Sequence, residues 1–230
     1  MAAATKREQG AGIGNMADDE AFKDTRSWTV LRKRGQVIFD AGEPSRQMYR
    51  VESGCARLQL NGLKGERQII VFLLPGDLFG FEIDKRVCSA EAASDCQLRC
   101  WPVDAVLKPT PDQPRLTIKL LEEAQTRFAE MAEHIEKIIH LPAKERVIWF
   151  LNGLLSCRGL PKAEVRMHLP MSHVDIADYL GLAPETLSRV LSGLEEEGYL
   201  HRAGRHDLQL NLKAFPKVRS PTQLRTRKKD

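Results

Sequence analysis

Glu185, Ser188 and Arg189 are the residues whose types and spacing most directly describe a chemistry. On a helix, positions i, i+3 and i+4 share one face. Arginine can donate a bidentate pair of hydrogen bonds to guanine O6 and N7, glutamate can accept from cytosine N4, and serine adapts to either. Together they would form a small surface for reading the edges of DNA bases. A simpler reading stands beside it, because Glu185 and Arg189 are also spaced as an ion pair on a solvated helix. The two are compatible, since such a pair could hold Arg189 in position.

The surrounding residues favour the first reading. Ser172-His173-Val174-Asp175 has the form of a capping box, in which serine accepts from the backbone three residues on and the acid reaches back. Counting from His173, the fifth residue is the small Ala177 and the ninth is Gly181, while Ile176, Leu180, Leu182, Leu187 and Val190 occupy the fourth, eighth, tenth, fifteenth and eighteenth places. Ala177 lets two helices cross closely, Gly181 can take the left-handed conformation that ends a helix, and Pro184 suits a first turn. The pattern describes a helix-turn-helix whose second helix runs from about Pro184 to Glu197, with the N-terminal end that enters a major groove carrying the three polar residues. After Gly198, Tyr199–Arg202 and Leu208–Leu210 read as two strands joined by Ala203–Asp207. This is a basic wing in which Arg202 or Arg205 touches phosphate, or else a solvated loop.

These elements need a frame. From Trp28 to about Trp101 the chain reads as short strands, clearest at Gln36–Phe39, Met48–Ser53, Ala56–Leu60, Arg67–Leu73 and Cys96–Trp101, with Gly35, Gly42, Gly54, Gly62, Gly65, Gly76 and Gly80 between them. That punctuation fits an antiparallel barrel or roll. Lys108–Pro114 breaks it. From about Arg115 to His140 the period becomes helical, and Thr117, Leu121, Ala124, Phe128, Met131, Ile135 and Ile138 follow the alternating steps of a coiled-coil seam. Such a helix would be about 39 Å long, more than a domain of this size usually buries alone. A parallel homodimer joined along Leu121, Ala124, Phe128, Met131, Ile135 and Ile138 is expected. A new helix starts at Leu141-Pro142-Ala143-Lys144-Glu145, with Val147, Phe150, Leu151, Leu154 and Leu155 inward. Arg158–Glu164 reads as a linker, and Val165–Leu169 as a short strand.

Composition narrows the classes. The chain has 230 residues, formal net charge +4 and 29% charged residues, as an ordinary globular protein does. No run approaches the length a membrane helix needs, and residues 1–27 lack an apolar signal core, so a disordered leader and a cytoplasmic location are expected. The tail Lys217–Lys229 carries Lys217, Arg219, Arg225, Arg227, Lys228 and Lys229, a stretch for non-specific phosphate contact or a solvated end. Five cysteines, Cys55, Cys88, Cys96, Cys100 and Cys157, form no CxxC pair. Cys96 and Cys100 alternate with Leu98 on one strand face and read as buried thiols, with a redox or metal role for Cys88, Cys96 and Cys100 as the other possibility. The chain shows no metal-ligand triad, nucleophile elbow or phosphate-cradling glycine loop, so neither enzyme activity, metal nor cofactor is expected. A non-DNA binding module on a β-roll is the competing class.

From about Val30 to Ala214 the sequence resembles the Crp/Fnr family of bacterial transcription regulators. The glycine-punctuated roll, the Pro75-Gly76-Asp77-Leu78-Phe79-Gly80 turn, the long helix and the helix-turn-helix carry the resemblance. Leu141-Pro142-Ala143-Lys144-Glu145-Arg146 and Asp175-Ile176-Ala177-Asp178-Tyr179-Leu180-Gly181-Leu182 look most like the FixK- and FNR-type branch. The resemblance implies an α+β chain: a leader (1–27), a cyclic-nucleotide-binding-like β-roll (28–113), a dimerisation helix (114–140), a winged helix-turn-helix (141–214) and a basic tail (215–230). It implies double-stranded DNA and RNA polymerase as partners and TTGAT-like half-sites read by Glu185, Ser188 and Arg189. Thr186, His173 and Ser172 would complete the DNA-binding set, with His173 where relatives contact phosphate. Activation of genes for low-oxygen respiration or nitrogen metabolism is the implied role. The effector does not carry over. Cyclic-nucleotide-binding members have Gly-Glu-Leu and then Arg-Ser; here Gly80-Phe81-Glu82-Ile83 and Arg86-Val87 stand instead. Residues 1–54 contain no cysteine for an FNR-type iron–sulfur cluster. Nitric oxide, haem or a cyclic nucleotide remain alternatives for a ligand-gated relative.

Overall fold

The structure is a computed structural model that describes Phe22 and residues 25–62, 67–107, 114–156 and 164–216. Most of the expected leader and of the basic tail, Gly65, Lys108–Gln113, Cys157 and most of the Arg158–Glu164 linker fall outside those residues.

Eight strands build the roll: β1 (Trp28–Arg32), β2 (Val37–Phe39), β3 (Gln47–Ser53), β4 (Ala56–Asn61), β5 (Arg67–Leu73), β6 (Leu78–Phe79), β7 (Ser89–Ala92) and β8 (Cys96–Pro102). They form two four-stranded sheets, ordered β1-β8-β3-β6 and β2-β7-β4-β5. The strand period of two explains the interior. On β3 and β8 the pairs Tyr49↔Cys100 and Val51↔Leu98 turn inward, and with Phe39, Phe79 and Leu73 they make the core of the roll. Cys55, Cys88, Cys96 and Cys100 are buried free thiols. Burial pushes Cys88, Cys96 and Cys100 up to about 11 and Cys55 higher still, which keeps them protonated and unreactive at neutral pH.

A short helix α1 (Val103–Leu107) leads to the long helix α2 (Pro114–His140). Leu116 and Leu120 at the base of α2 join Phe22, Met48, Leu78, Trp101, Val103 and Val106 in a second core beneath the roll. Further along, α2 presents an apolar stripe to solvent. Phe128 is 75% exposed and Ile135 55%, and Ile118, Leu121 and Ile139 are as open. With exposed Gln125 and Ala132 they follow alternating steps of three and four, the spacing of a seam. Of the residues expected there, Leu121, Ala124, Phe128 and Ile135 are exposed, whereas Met131 and Ile138 are half-buried. The stripe is thus rotated from the expected one. Met131 and Ile138 are the more apolar choices in sequence, but that side of the helix turns toward the chain's own C-terminal half.

That half contains α3 (Ala143–Ser156), β9 (Glu164–His168), α4 (His173–Leu180), α5 (Pro184–Glu196), β10 (Leu200–Arg202) and β11 (Asp207–Asn211). The last two pair as the expected hairpin, and β9 completes a sheet ordered β10-β11-β9. A third core gathers Val147, Ile148, Leu151, Met167, Ile176, Leu180, Leu187, Leu191 and Leu194. Cys55 and Ala93 of the roll belong to the same cluster, so apolar packing continues between the two halves.

Candidate nucleic-acid interface

The turn between α4 and α5 is fixed at both ends. Ser172 Oγ accepts from the Asp175 amide at 3.1 Å and Asp175 Oδ2 accepts from the Ser172 amide at 3.3 Å, closing the capping box. A cap of this kind is worth about 1 kcal/mol. Gly181 ends α4 in the left-handed region, φ 61°, ψ 42°. A side chain there would make only ordinary contacts, with Ile138 Cγ2 at 3.5 Å and Arg146 Nη1 at 3.6 Å, so the left-handed backbone is what favours glycine. Arg146 uses that proximity: its Nε donates to Leu141 O at 2.8 Å and its Nη1 to Leu180 O at 3.1 Å, satisfying carbonyls at the ends of α2 and α4. Ala183 then takes an extended conformation and Pro184 opens α5.

Leu187, Leu191 and Leu194 anchor α5 in the core. Glu185, Ser188 and Arg189 point the other way and are exposed, Thr186 is half-buried beside them, and the four lie on the first two turns. The ion pair that their spacing allowed does not form. Arg189 Nε donates instead to the Glu185 backbone carbonyl at 3.4 Å, leaving the rest of the guanidinium and the Glu185 carboxylate without an ion-pair partner among the described residues. An open groove of about 410 Å³ runs past this helix, lined by Lys144, Thr186, Arg189, Val190, Gly193 and Glu197. Lys144 Nζ closes one side through Glu197 Oε1 at 2.6 Å.

The wing is tied to the same helix. Glu195 Oε2 accepts from Arg202 Nε at 2.7 Å, its Oε1 accepts from the Arg202 amide at 2.9 Å, and Arg202 Nη2 reaches Ser192 Oγ at 3.2 Å. Those bonds from Arg202 hold the Glu195 carboxyl below its ordinary range. Arg202 is therefore committed inside the domain, and Arg205, exposed in the turn, is the freer of the two wing arginines. His173 is half-buried. Burial, and then the charges of His206, Arg202 and Arg205, keep it below the ordinary histidine value. Its Nε2 is enclosed without a hydrogen-bond partner among the described residues. Ser172 spends one lone pair on the cap and retains a hydroxyl proton to donate.

The sequence reading missed residues that hold this surface from outside the motif. His134 of α2 stacks on Tyr179 with ring centroids 3.9 Å apart and 9° between planes, and Tyr179 O accepts from its Nε2 at 2.7 Å. Phe72 of β5 packs on Tyr179 from the roll at 5.2 Å. Arg57 and Gln59, alternate positions on β4, are both buried, and Arg57 Nη1 lies 2.9 Å from Asp175 Oδ1 of α4. They alternate with Ala56 and Leu58, which face the roll core, so in sequence they read as the solvated face of the strand and no local signal marked them.

The roll interior is arranged differently. Arg86 is buried, lies 4.1 Å over the Phe39 ring, donates to Glu82 Oε2 at 2.6 Å and also to Gln47 O. It is the basic residue at the place where the resemblance puts the cyclic phosphate. Its guanidinium is already paired and stacked by the chain itself, so a cyclic phosphate would have to displace Glu82 or Gln47 from it.

A wound helix pair with a closed turn, an exposed polar face at the front of its second helix and a basic hairpin beside it define a winged helix-turn-helix DNA-binding protein. Comparison with known proteins agrees. Residues 30–108 match a cyclic nucleotide-binding domain and residues 145–214 a Crp-like helix-turn-helix domain. The chain is 37% identical to the nitrogen fixation regulation protein FixK of Azorhizobium caulinodans over 72% of this chain and 68% of that one. It is 32% identical to the anaerobic regulatory protein of Pasteurella multocida over 76% and 65%. The solved structure of FixK2 from Bradyrhizobium japonicum is 31% identical, with a TM-score of 0.77, covering 84% of this chain and 99% of that one. The chain belongs to the Crp/Fnr family and is a DNA-binding transcription regulator of that family. No described helix is long and apolar enough to cross a membrane.

Proposed function

We propose that the protein works as a homodimer on palindromic DNA with TTGAT-like half-sites, chiefly as an activator of genes for low-oxygen or nitrogen metabolism. The observation that carries the reading is the exposed face of Glu185, Ser188 and Arg189, where no ion pair among the described residues competes for the groups that would meet base edges. Arg189 reads guanine, Glu185 accepts from cytosine, and Ser188 adapts to its neighbour. Thr186, Ser172, His173 and Arg205 supply phosphate contacts that set register without reading sequence. Two copies of α2 join along Ile118, Leu121, Gln125, Phe128, Ala132, Ile135 and Ile139, which sets the recognition helices about one helical turn of DNA apart. The physiological role rests on the names of the FixK and anaerobic regulatory relatives; a cytoplasmic location and RNA polymerase as a further partner are what membership of a family of transcription regulators implies.

The test is selection of bound sites from random DNA with the full chain, purified with and without oxygen. Recovery of paired TTGAT-like half-sites at one spacing is the expected result, and recovery of unpaired or unrelated sequences overturns it. A difference between the two preparations would show oxygen control. Identical profiles would place that control outside the chain.

A further inference from the structure

We infer that Arg57 and Arg67 of the roll are positioning residues for DNA recognition, acting through Asp175 and Asp178 on the first helix of the helix-turn-helix. The inference rests on the DNA reading above. Arg67 Nε donates to Asp178 Oδ2 at 2.8 Å, and its Nη2 reaches Asp175 Oδ1 at 2.9 Å. Arg57 Nη1 lies 2.9 Å from the same Asp175 oxygen. Gln68 Nε2 adds a bond to the Asp178 carbonyl at 2.7 Å. Arg57 is itself held by Glu91 and by Gln59 Oε1 at 3.1 Å. Asp175 is 3% exposed and its second oxygen closes the capping box, so one carboxylate joins the roll, the helix start and two guanidinium groups.

Apolar contact between the two halves is non-directional and would tolerate sliding, whereas charge-assisted hydrogen bonds with paired donors admit one orientation. Removing water from such a group of charges offsets most of their attraction, so their return is geometry more than stability. Helix α4 is rigidly joined to α5 by the Gly181 turn and a shared core. Whatever fixes α4 on the roll therefore fixes the angle at which Glu185, Ser188 and Arg189 leave the body. In a dimer, that angle sets the distance between two recognition faces.

The experiment uses the full chain with Arg67→Ala, Asp178→Ala, and the reversed pair Arg67→Asp with Asp178→Arg. Probes are duplexes with a single half-site and palindromes at the native, shorter and longer spacings. Arg67→Ala should bind the single half-site nearly as wild type does, lose about tenfold on the native palindrome, and discriminate less between spacings. The reversed pair should recover spacing preference. Unchanged spacing preference in Arg67→Ala, or equal losses on half-site and palindrome, overturns the inference, the latter marking a folding or direct-contact effect. Wild type with no palindrome preference would overturn the DNA reading instead. Amide hydrogen exchange without DNA then decides separately: faster exchange at Tyr179–Leu182 in Arg67→Ala supports the positioning contact, and unchanged exchange overturns it.

Discussion

The front of α5 and the inside of the roll each hold an arginine near a glutamate, and the chain treats the two pairs in opposite ways. Glu82 and Arg86 are bonded at 2.6 Å, with the guanidinium stacked on Phe39 and its charge used within the fold. Glu185 and Arg189 have the same i,i+4 spacing, yet Arg189 turns to a backbone carbonyl and the two charges stay open to solvent. The difference is burial. Inside, an unpaired charge would cost several kcal/mol, so a partner is recruited. On a solvated helix the pair is worth only a few tenths of a kcal/mol, so little holds it together. A weakly held, exposed pair can exchange its partner for DNA. A strongly held, buried one has no such freedom.

Five substitutions, grouped in four predictions, sharpen or break that contrast. The largest effect belongs to the stripe that doubles the open face. Phe128→Glu or Ile135→Asp should dissociate the dimer and lower palindrome affinity by about a hundredfold or more, because two linked half-sites act at high effective concentration. Sedimentation showing an intact dimer would count against the seam. Next, Arg86→Met should cost about 3 kcal/mol in denaturant unfolding by stranding Glu82 and removing the contact with Phe39, while leaving the selected DNA sequence unaltered. A changed base preference would mean that the closed interior reaches the open face.

Arg189→Ala should cost about 1–3 kcal/mol on a cognate site and relax preference at one base pair. Equal losses on specific and random DNA would assign it a phosphate role. The smallest effect is a pH slope. Burial keeps His134 below 6.5, so the folded state favours the neutral ring. Its contribution is complete above the unfolded value and is lost as pH falls through the folded one. Unfolding followed from pH 7.5 downward should show stability declining below about 6.5, and His134→Gln should flatten that slope. His173, depressed in the same direction, will leave a residual slope.

Much of this molecule was legible in the sequence where one local pattern dictates one structure. Ser172 and Asp175 cap, Gly181 turns left-handed and Pro184 opens a helix for reasons contained within a dozen residues, and all do so in the structure. The wing followed from two short apolar runs about a turn. Less was legible where a residue has two faces to choose between. Gln125 and Ala132 look unpromising beside Met131 and Ile138, and only the position of the C-terminal half reveals which side of α2 remains open. The short strands β6 and β7 carry too few residues to show a period. Long-range pairs were invisible: nothing near Arg67 points to Asp178, over a hundred residues away.

Gln125 has a consequence for which chains can assemble. It is the polar position in an otherwise apolar stripe on α2. A polar side chain at such a place lowers the strength of helix pairing but penalises every alignment that sets it against a hydrocarbon neighbour. Two identical helices joined along this stripe would satisfy it by placing amide beside amide. A relative with leucine there would leave the amide unmet, so a cell carrying several such regulators could keep them sorted by one uncharged residue far from the DNA.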